Sequence, residues 1–170
     1  MSSIRARAES FCHSYAKAMS LGTSSKATTT DIAEALFSHY RPTDFTAFSM
    51  GQRIVMGDAT SEVPEMEKYL EQWLSHGIGL DIRMERHRVD VVSDLGETGG
   101  GGSAMCWITW RVYPASPEGA GRSIEGWEWE NMYAFRLAPG QEKWVWEFVV
   151  SDNEVAGLLG KFPGWFDGLR

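Results

Sequence analysis

Glu147 is the acidic residue with the most unusual setting in this chain, because it interrupts the apolar run Trp144, Val145, Trp146, Phe148, Val149. A carboxyl group surrounded by indole rings is pushed above the usual carboxylate range, the condition for acid–base work near neutral pH. Arg111 offers the alternative, an ordinary salt bridge that would make Glu147 structural. Glu125, Asp152 and Asp44 are weaker candidates, and Asp44 reads better as the start of a strand. Of the histidines, His87 lies between Arg86 and Arg88 in an extended segment and reads as a surface residue. His13 is two residues from Tyr15, about 200° around a helix, and so faces away from it. His39 and His76 close two helices, where a cation is mildly favoured. Cys12 and Cys106 sit in neither a CxxC nor a Cys/His ligand spacing and read as buried thiols, although two thiols can bridge. GxxxxGK[ST], HExxH and GxSxG are all missing, so the expectation is chemistry without a metal or cofactor.

The chain that must position these groups has 170 residues, 43% of them hydrophobic and 12% aromatic. That length suits one domain spanning residues 1–170, large enough to bury its own core. Sixteen Lys plus Arg against twenty-three Asp plus Glu leave a formal net charge of −7. Nucleic acid and an anionic membrane surface both need a basic face, so neither is an expected partner. The N-terminal stretch lacks the apolar core of a secretory signal, and no run approaches the ~20 apolar residues of a membrane helix. With two thiols and no disulfide framework, a cytoplasmic location is expected.

Apolar residues recur at three- and four-residue steps over residues 4–20, giving a helix with Ala8, Phe11, Cys12, Tyr15, Ala16 and Met19 on one face. Gly22 stops it. Asp31 with Glu34 suggests a capping box for a second helix that Pro42 ends. Residues 44–50 and 53–56 alternate as short strands. Pro64 suits the first turn of a third helix carrying Met66, Tyr69, Leu70, Trp73 and Leu74. Four long strands follow, over residues 80–93, 104–113, 123–137 and 143–151, with turns at the glycines 99–102, at 114–122 and at Pro139-Gly140. Residues 154–159 make a short terminal helix, and 162–166 an aromatic clip. Helices followed by hairpin-linked strands are the α+β pattern, helices gathered on one face of an antiparallel sheet.

With the strings FCHSYAKAMSLG, DIAEALFSHY and GGSAMCWITWRVY in that order, the chain resembles the nuclear-transport-factor-2-like (NTF2-like) superfamily. Its members include the SnoaL-like cyclases, ketosteroid isomerase and scytalone dehydratase. The resemblance implies a cone with three N-terminal helices packed on a strongly curved antiparallel sheet. Alternation gives each strand two faces without saying which looks inward. Aligned through SAMCWITW, the likeness to ketosteroid isomerase implies that Met105, Trp107, Thr109 and Arg111 line the concavity with Trp129 and Tyr133, and that Glu147 points inward. It also implies that Tyr15 donates to a developing oxyanion, with Asn131 as the second donor. Without that role, Tyr15 simply packs in its helix stripe. The family's basic Asp falls here near Phe48 or Ser49, which departs from the ketosteroid isomerase mechanism. The two histidines of a scytalone dehydratase are not both evident. The Arg-x-Asp motif of an epoxide-hydrolase relative is lost, because Val112 and Tyr113 follow Arg111.

An outer face carrying Ile108, Trp110, Met132, Trp146 and Phe148 would then need cover, and the implied cover is a second copy of the chain. The function implied is a cofactor-free isomerase, dehydratase or cyclase for a hydrophobic cyclic molecule, with Tyr15, Asn131 and Glu147 as its catalytic groups. The alternative is a non-catalytic module that binds a ligand or dimerises.

Overall fold

Helix α1, Ile4–Met19, follows from its apolar spacing: Ile4, Ala8, Cys12, Tyr15 and Ala18 are its buried residues, and the Ser3 side chain caps its first turn. The computed structural model describes residues 3–94, 101–115, 124–137 and 143–167. The expected turns at Pro139-Gly140, at residues 99 and 100 of the glycine run and across most of 114–122 lie outside them. A 3-10 turn, Ser20–Thr23, ends α1. Gly22 there is held against the chain of Leu80 so closely that a β-carbon would fall 2.2 Å from the Leu80 carbonyl oxygen. Only glycine fits.

Helix α2, Thr29–Phe37, starts earlier than expected, because Thr28 rather than Asp31 is the cap and Asp31 closes the box as its third residue. Strands β1, Thr46–Ser49, and β2, Gln52–Val55, form a hairpin. Helix α3, Ala59–Ser75, begins five residues before Pro64, because the Asp58 side chain accepts hydrogen bonds from the backbone N–H of Thr60 and Ser61. Pro64 therefore lies inside the helix, where it withholds one backbone donor.

The long strands are β3, Ile82–Asp94, β4, Gly102–Val112, β5, Glu128–Leu137, and β6, Val145–Val150, and helix α4, Asp152–Lys161, follows them. The sheet order is β2-β1-β6-β5-β4-β3. Neighbours are antiparallel except β1 and β6, which run parallel, so the sheet is mixed and not purely antiparallel. Two helices precede the first strand, not three; α3 follows the β1–β2 hairpin. Irregular registers in β3 and between β5 and β6 bend the strands, as bulges do. The segment after α2 docks on β6 through Arg41 N–H to Trp146 O at 2.9 Å and Trp146 N–H to His39 O at 2.8 Å. Among the described residues no helix is long and apolar enough to cross a membrane.

Candidate functional site

Register decides which side chains meet under the helices. On β4 the buried, inward residues are Ala104, Cys106, Ile108, Trp110 and Val112. On β5 they are Trp129, Tyr133, Phe135 and Asn131, the last only 2% exposed. Trp110 pairs with Trp129, Ile108 with Asn131 and Cys106 with Tyr133, so the two rows face the same way. On β6, Ala134 pairs with Phe148 but its neighbour Phe135 pairs with Trp146. That extra residue turns both Trp146 and Val149 inward and leaves Glu147 outside.

Three assignments are corrected by this register. Met105, Trp107, Thr109 and Arg111 lie on the outer face of the sheet, away from the cavity. There Trp107 donates to Asp90 at 3.1 Å, Thr109 to Glu130 at 3.3 Å and Arg111 to Glu128 at 3.2 Å. Glu147 pairs with Arg41 and, at 3.5 Å, with Arg136, not with Arg111. Ile108, Trp110 and Trp146 belong to the core rather than to an outer patch.

The inward row, helices α1 to α4 and the β1–β2 hairpin enclose a cavity of about 440 Å³. Tyr15, Trp129, Asn131 and Tyr133 line it, and so do Tyr40, Tyr69, Trp110 and Glu154. Tyr15 is brought there by the helical step from Cys12, and its hydroxyl lies 2.6 Å from that of Tyr40. Tyr40 is held in turn by stacking on Phe45, ring centres 4.2 Å apart. The Tyr133 hydroxyl accepts from the Trp110 indole and the Asn131 amide, each at 3.3 Å. Asn131 also donates to one oxygen of Glu154 at 2.7 Å, while the Tyr69 hydroxyl donates to the other at 2.9 Å. Two polar groupings therefore meet in an apolar chamber: a tyrosine pair, and a carboxyl held by an amide and a phenol.

Burial pushes the Glu154 carboxyl above its ordinary value of 4.5, against the opposing hydrogen bonds from Asn131 and Tyr69. Burial likewise raises Tyr15, Tyr40, Tyr69 and Tyr133, so all four keep their protons over the whole ordinary pH range. Ser49, at the place of the family's basic Asp, lines the cavity, whereas Phe48 points outward. His39 is half-buried behind Tyr15, accepting or donating at 3.0 Å to Ser14, and burial lowers its pKa. His13 is exposed and meets His87 edge-on at 4.9 Å. Cys12 and Cys106 are buried free thiols, and hydrogen bonding between them together with burial raises Cys106.

Glu154 was not among the residues singled out from sequence. It stands one helical turn before Leu158, the buried residue of α4, and so on the same apolar face. A carboxylate on an apolar stripe was the available signal. Its raised pKa has a consequence for stability. The unfolded chain titrates Glu154 near 4.5 and the folded chain higher, so folding favours the neutral acid. That contribution is complete below the ordinary value and is lost as pH rises through the raised one. Glu154→Gln keeps a neutral group of the same shape, and reversal of the Asn131 amide restores its hydrogen bond. The variant's melting temperature relative to the parent is expected to increase between about pH 4 and about pH 8. A difference that stays constant across that range would mean that Glu154 does not titrate from a buried position.

Neither a protein-family model nor a curated protein matches the sequence. The fold is similar to that of a ketosteroid isomerase-like protein from Erwinia carotovora atroseptica, at 14% identity and TM-score 0.50, over 86% of this chain and 92% of that one. A provisionally named scytalone dehydratase from Novosphingobium aromaticivorans matches at 8% identity and TM-score 0.50, over 84% of this chain and 78% of the other. The chain has the NTF2-like fold. A Nostoc punctiforme domain of unknown function, described as cystatin-like in fold, matches all of this chain and 90% of its own, at 13% identity and TM-score 0.50. NTF2-like architecture hosts many activities, so the chemistry lies in the residues of the cavity and not in the fold.

Proposed function

We propose that the protein is an enzyme that acts on a hydrophobic cyclic small molecule by acid–base chemistry inside the cone cavity, as an isomerase, dehydratase or cyclase. The observation that carries this reading is Glu154, a carboxyl of raised pKa held by Asn131 and Tyr69 inside an otherwise apolar chamber. Glu154 moves the proton in place of Glu147, which is tied to Arg41 and Arg136. Asn131 is a positioning residue that aims the carboxyl. Tyr15, Tyr40 and Tyr133 are un-ionised phenols, able to donate to an oxygen on which charge develops. Trp110 and Trp129 shape the chamber and keep it dry. The side chains named supply the acid–base step without a cofactor, and the cytoplasm is the expected compartment.

The test is a thermal-shift screen with polycyclic phenols, ketones and aromatic polyketide-like compounds. A ligand at a hundred times its Kd adds about 2.7 kcal/mol, and each kcal/mol moves a domain of this size by roughly 2–4 °C. A dose-dependent rise that disappears in Trp129→Ala supports a working pocket. With a turned-over substrate in hand, Tyr15→Phe is expected to lower turnover by about tenfold or more while the melting temperature stays nearly unchanged. Binding with no turnover of any ligand would favour the non-catalytic binding module.

The outer sheet face supports a homodimer as part of the same proposal. Trp107, Met132, Val150 and Phe48 form one row across β4, β5, β6 and β1, and Met105, Ala134 and Phe148 the next. Phe48 and Phe148 meet edge-on at 5.9 Å. Apolar rows of this extent favour a covering partner. Phe148→Glu is expected to convert a dimer to monomers in sedimentation velocity; an unaltered dimer would place the interface elsewhere.

A further inference from the structure

The charge of the cavity wall is one-sided. Among the described lining residues there is no Lys, Arg or His, while Glu62, Glu65 and Glu154 all contribute. Lys68 sits 2.6 Å from Glu65 and neutralises it, and Glu62 accepts only from the backbone N–H of Gly57. Glu154 faces Tyr69 of α3, Asn131 and Tyr133 of β5, Tyr15 of α1 and Tyr40 after α2, and no cation. A second observation is independent of charge. The Asn131 amide spends its N–H groups on Glu154 and Tyr133, and its Oδ1 is buried without a hydrogen-bond partner. A buried acceptor left open costs free energy until a donor arrives, so the ligand should bring N–H or O–H groups. The wall around it is aromatic, lined by Tyr15, Tyr40, Trp110, Trp129 and Tyr133. Aromatic faces and carboxylates attract the same class of group, an organic cation.

We propose that the cavity takes a hydrophobic ring-bearing amine, bound as its ammonium ion, with N–H groups directed at Asn131 Oδ1 and Glu154 and the ring system against the aromatic wall. The proposal rests on the reading of the cavity as a site for a hydrophobic cyclic molecule and adds the charge of that molecule. It also sets the direction of the chemistry. A cation beside Glu154 holds it as the carboxylate, so Glu154 enters the reaction as the base and takes a proton from the substrate. Anionic ligands, including carboxylates and phosphates, meet Glu62 and Glu154 and no basic side chain among the described lining residues.

Three probes of matched ring and size decide it: 1-naphthylmethylammonium, 1-naphthylmethanol and 1-naphthoate, titrated calorimetrically into the full chain at neutral pH. The ammonium is expected to bind at least about tenfold more tightly than the alcohol, and the naphthoate not at all. Glu154→Gln, with its fold checked by circular dichroism, should bring the ammonium down to the level of the alcohol. Equal binding of alcohol and ammonium, or tighter binding of naphthoate, overturns the amine assignment and leaves the hydrophobic-site reading intact. Binding of none of the three overturns both. Should Glu154→Gln fail to fold, the comparison of probes on the parent protein still decides the question, with Glu62→Gln as a second variant expected to weaken the ammonium alone.

Discussion

Glu154→Gln is expected to lower turnover by about two to four orders of magnitude, the usual contribution of a positioned general acid or base. The variant retains the shape of the side chain and a neutral group in a site that already favours neutrality, so the loss would report chemistry and not folding. The pH profile adds a second readout. As a base, Glu154 works in its ionised form, so activity is expected to rise with pH through a value above the ordinary 4.5 of a carboxylate. Glu154→Gln should erase that limb. A variant that keeps most of the parent's rate would remove Glu154 from the mechanism. A limb that falls with increasing pH would make it the acid instead.

Trp73→Ala carries the largest expected cost to stability. Trp73 is 1% exposed and stands at the centre of an aromatic cluster under α3. Its ring centre lies 5.8 Å from each of Trp127, Trp129 and Trp165, stacked on the first at 14° and edge-on to the last at 80°. Truncating a buried Trp to Ala costs roughly 3–5 kcal/mol, a large share of the 5–15 kcal/mol that holds a typical domain together. At about 2–4 °C per kcal/mol, the melting temperature should fall by roughly 6–20 °C. Trp107→Ala makes the contrasting control. Its indole lies on the outer face with Arg88 5.0 Å from its ring and Asp90 at its N–H, so its loss should leave ligand binding intact. A loss below about 1 kcal/mol for Trp73 would mean that the cluster is not packed as described.

Helix spacing was directly legible. The step from Ala8 to Cys12 to Tyr15 placed Tyr15 on the buried face of α1, where it lines the cavity. The alternation of Trp129, Asn131 and Tyr133 put those three on one face of β5, and the structure keeps them together. The start of α3 was not legible because Pro64 is a strong local signal, whereas the Asp58 side chain that caps the helix lies eight residues before Met66, the first of the apolar stripe. The orientation of β4 was misjudged for a different reason. Its two faces, Met105-Trp107-Thr109-Arg111 and Cys106-Ile108-Trp110-Val112, both carry large apolar residues, so alternation alone leaves them equivalent.

The sequence by itself determined which side chains travel together: the stripe of each helix, the two rows of each strand, an acidic balance and a core rich in aromatic rings. These depend on the 3.6-residue and two-residue periods of the backbone, which any stretch of chain carries within itself. Only the tertiary structure decided which row of β4 looks inward, because that is a relation between strands. Only it revealed that a register shift against β5 turns Trp146 and Val149 inward and sends Glu147 out to Arg41 and Arg136. Glu154 belongs to the same class of fact. Its neighbours Tyr69 and Asn131 lie 85 and 23 residues away in the chain, and a carboxyl's proton affinity is set by what surrounds it in space.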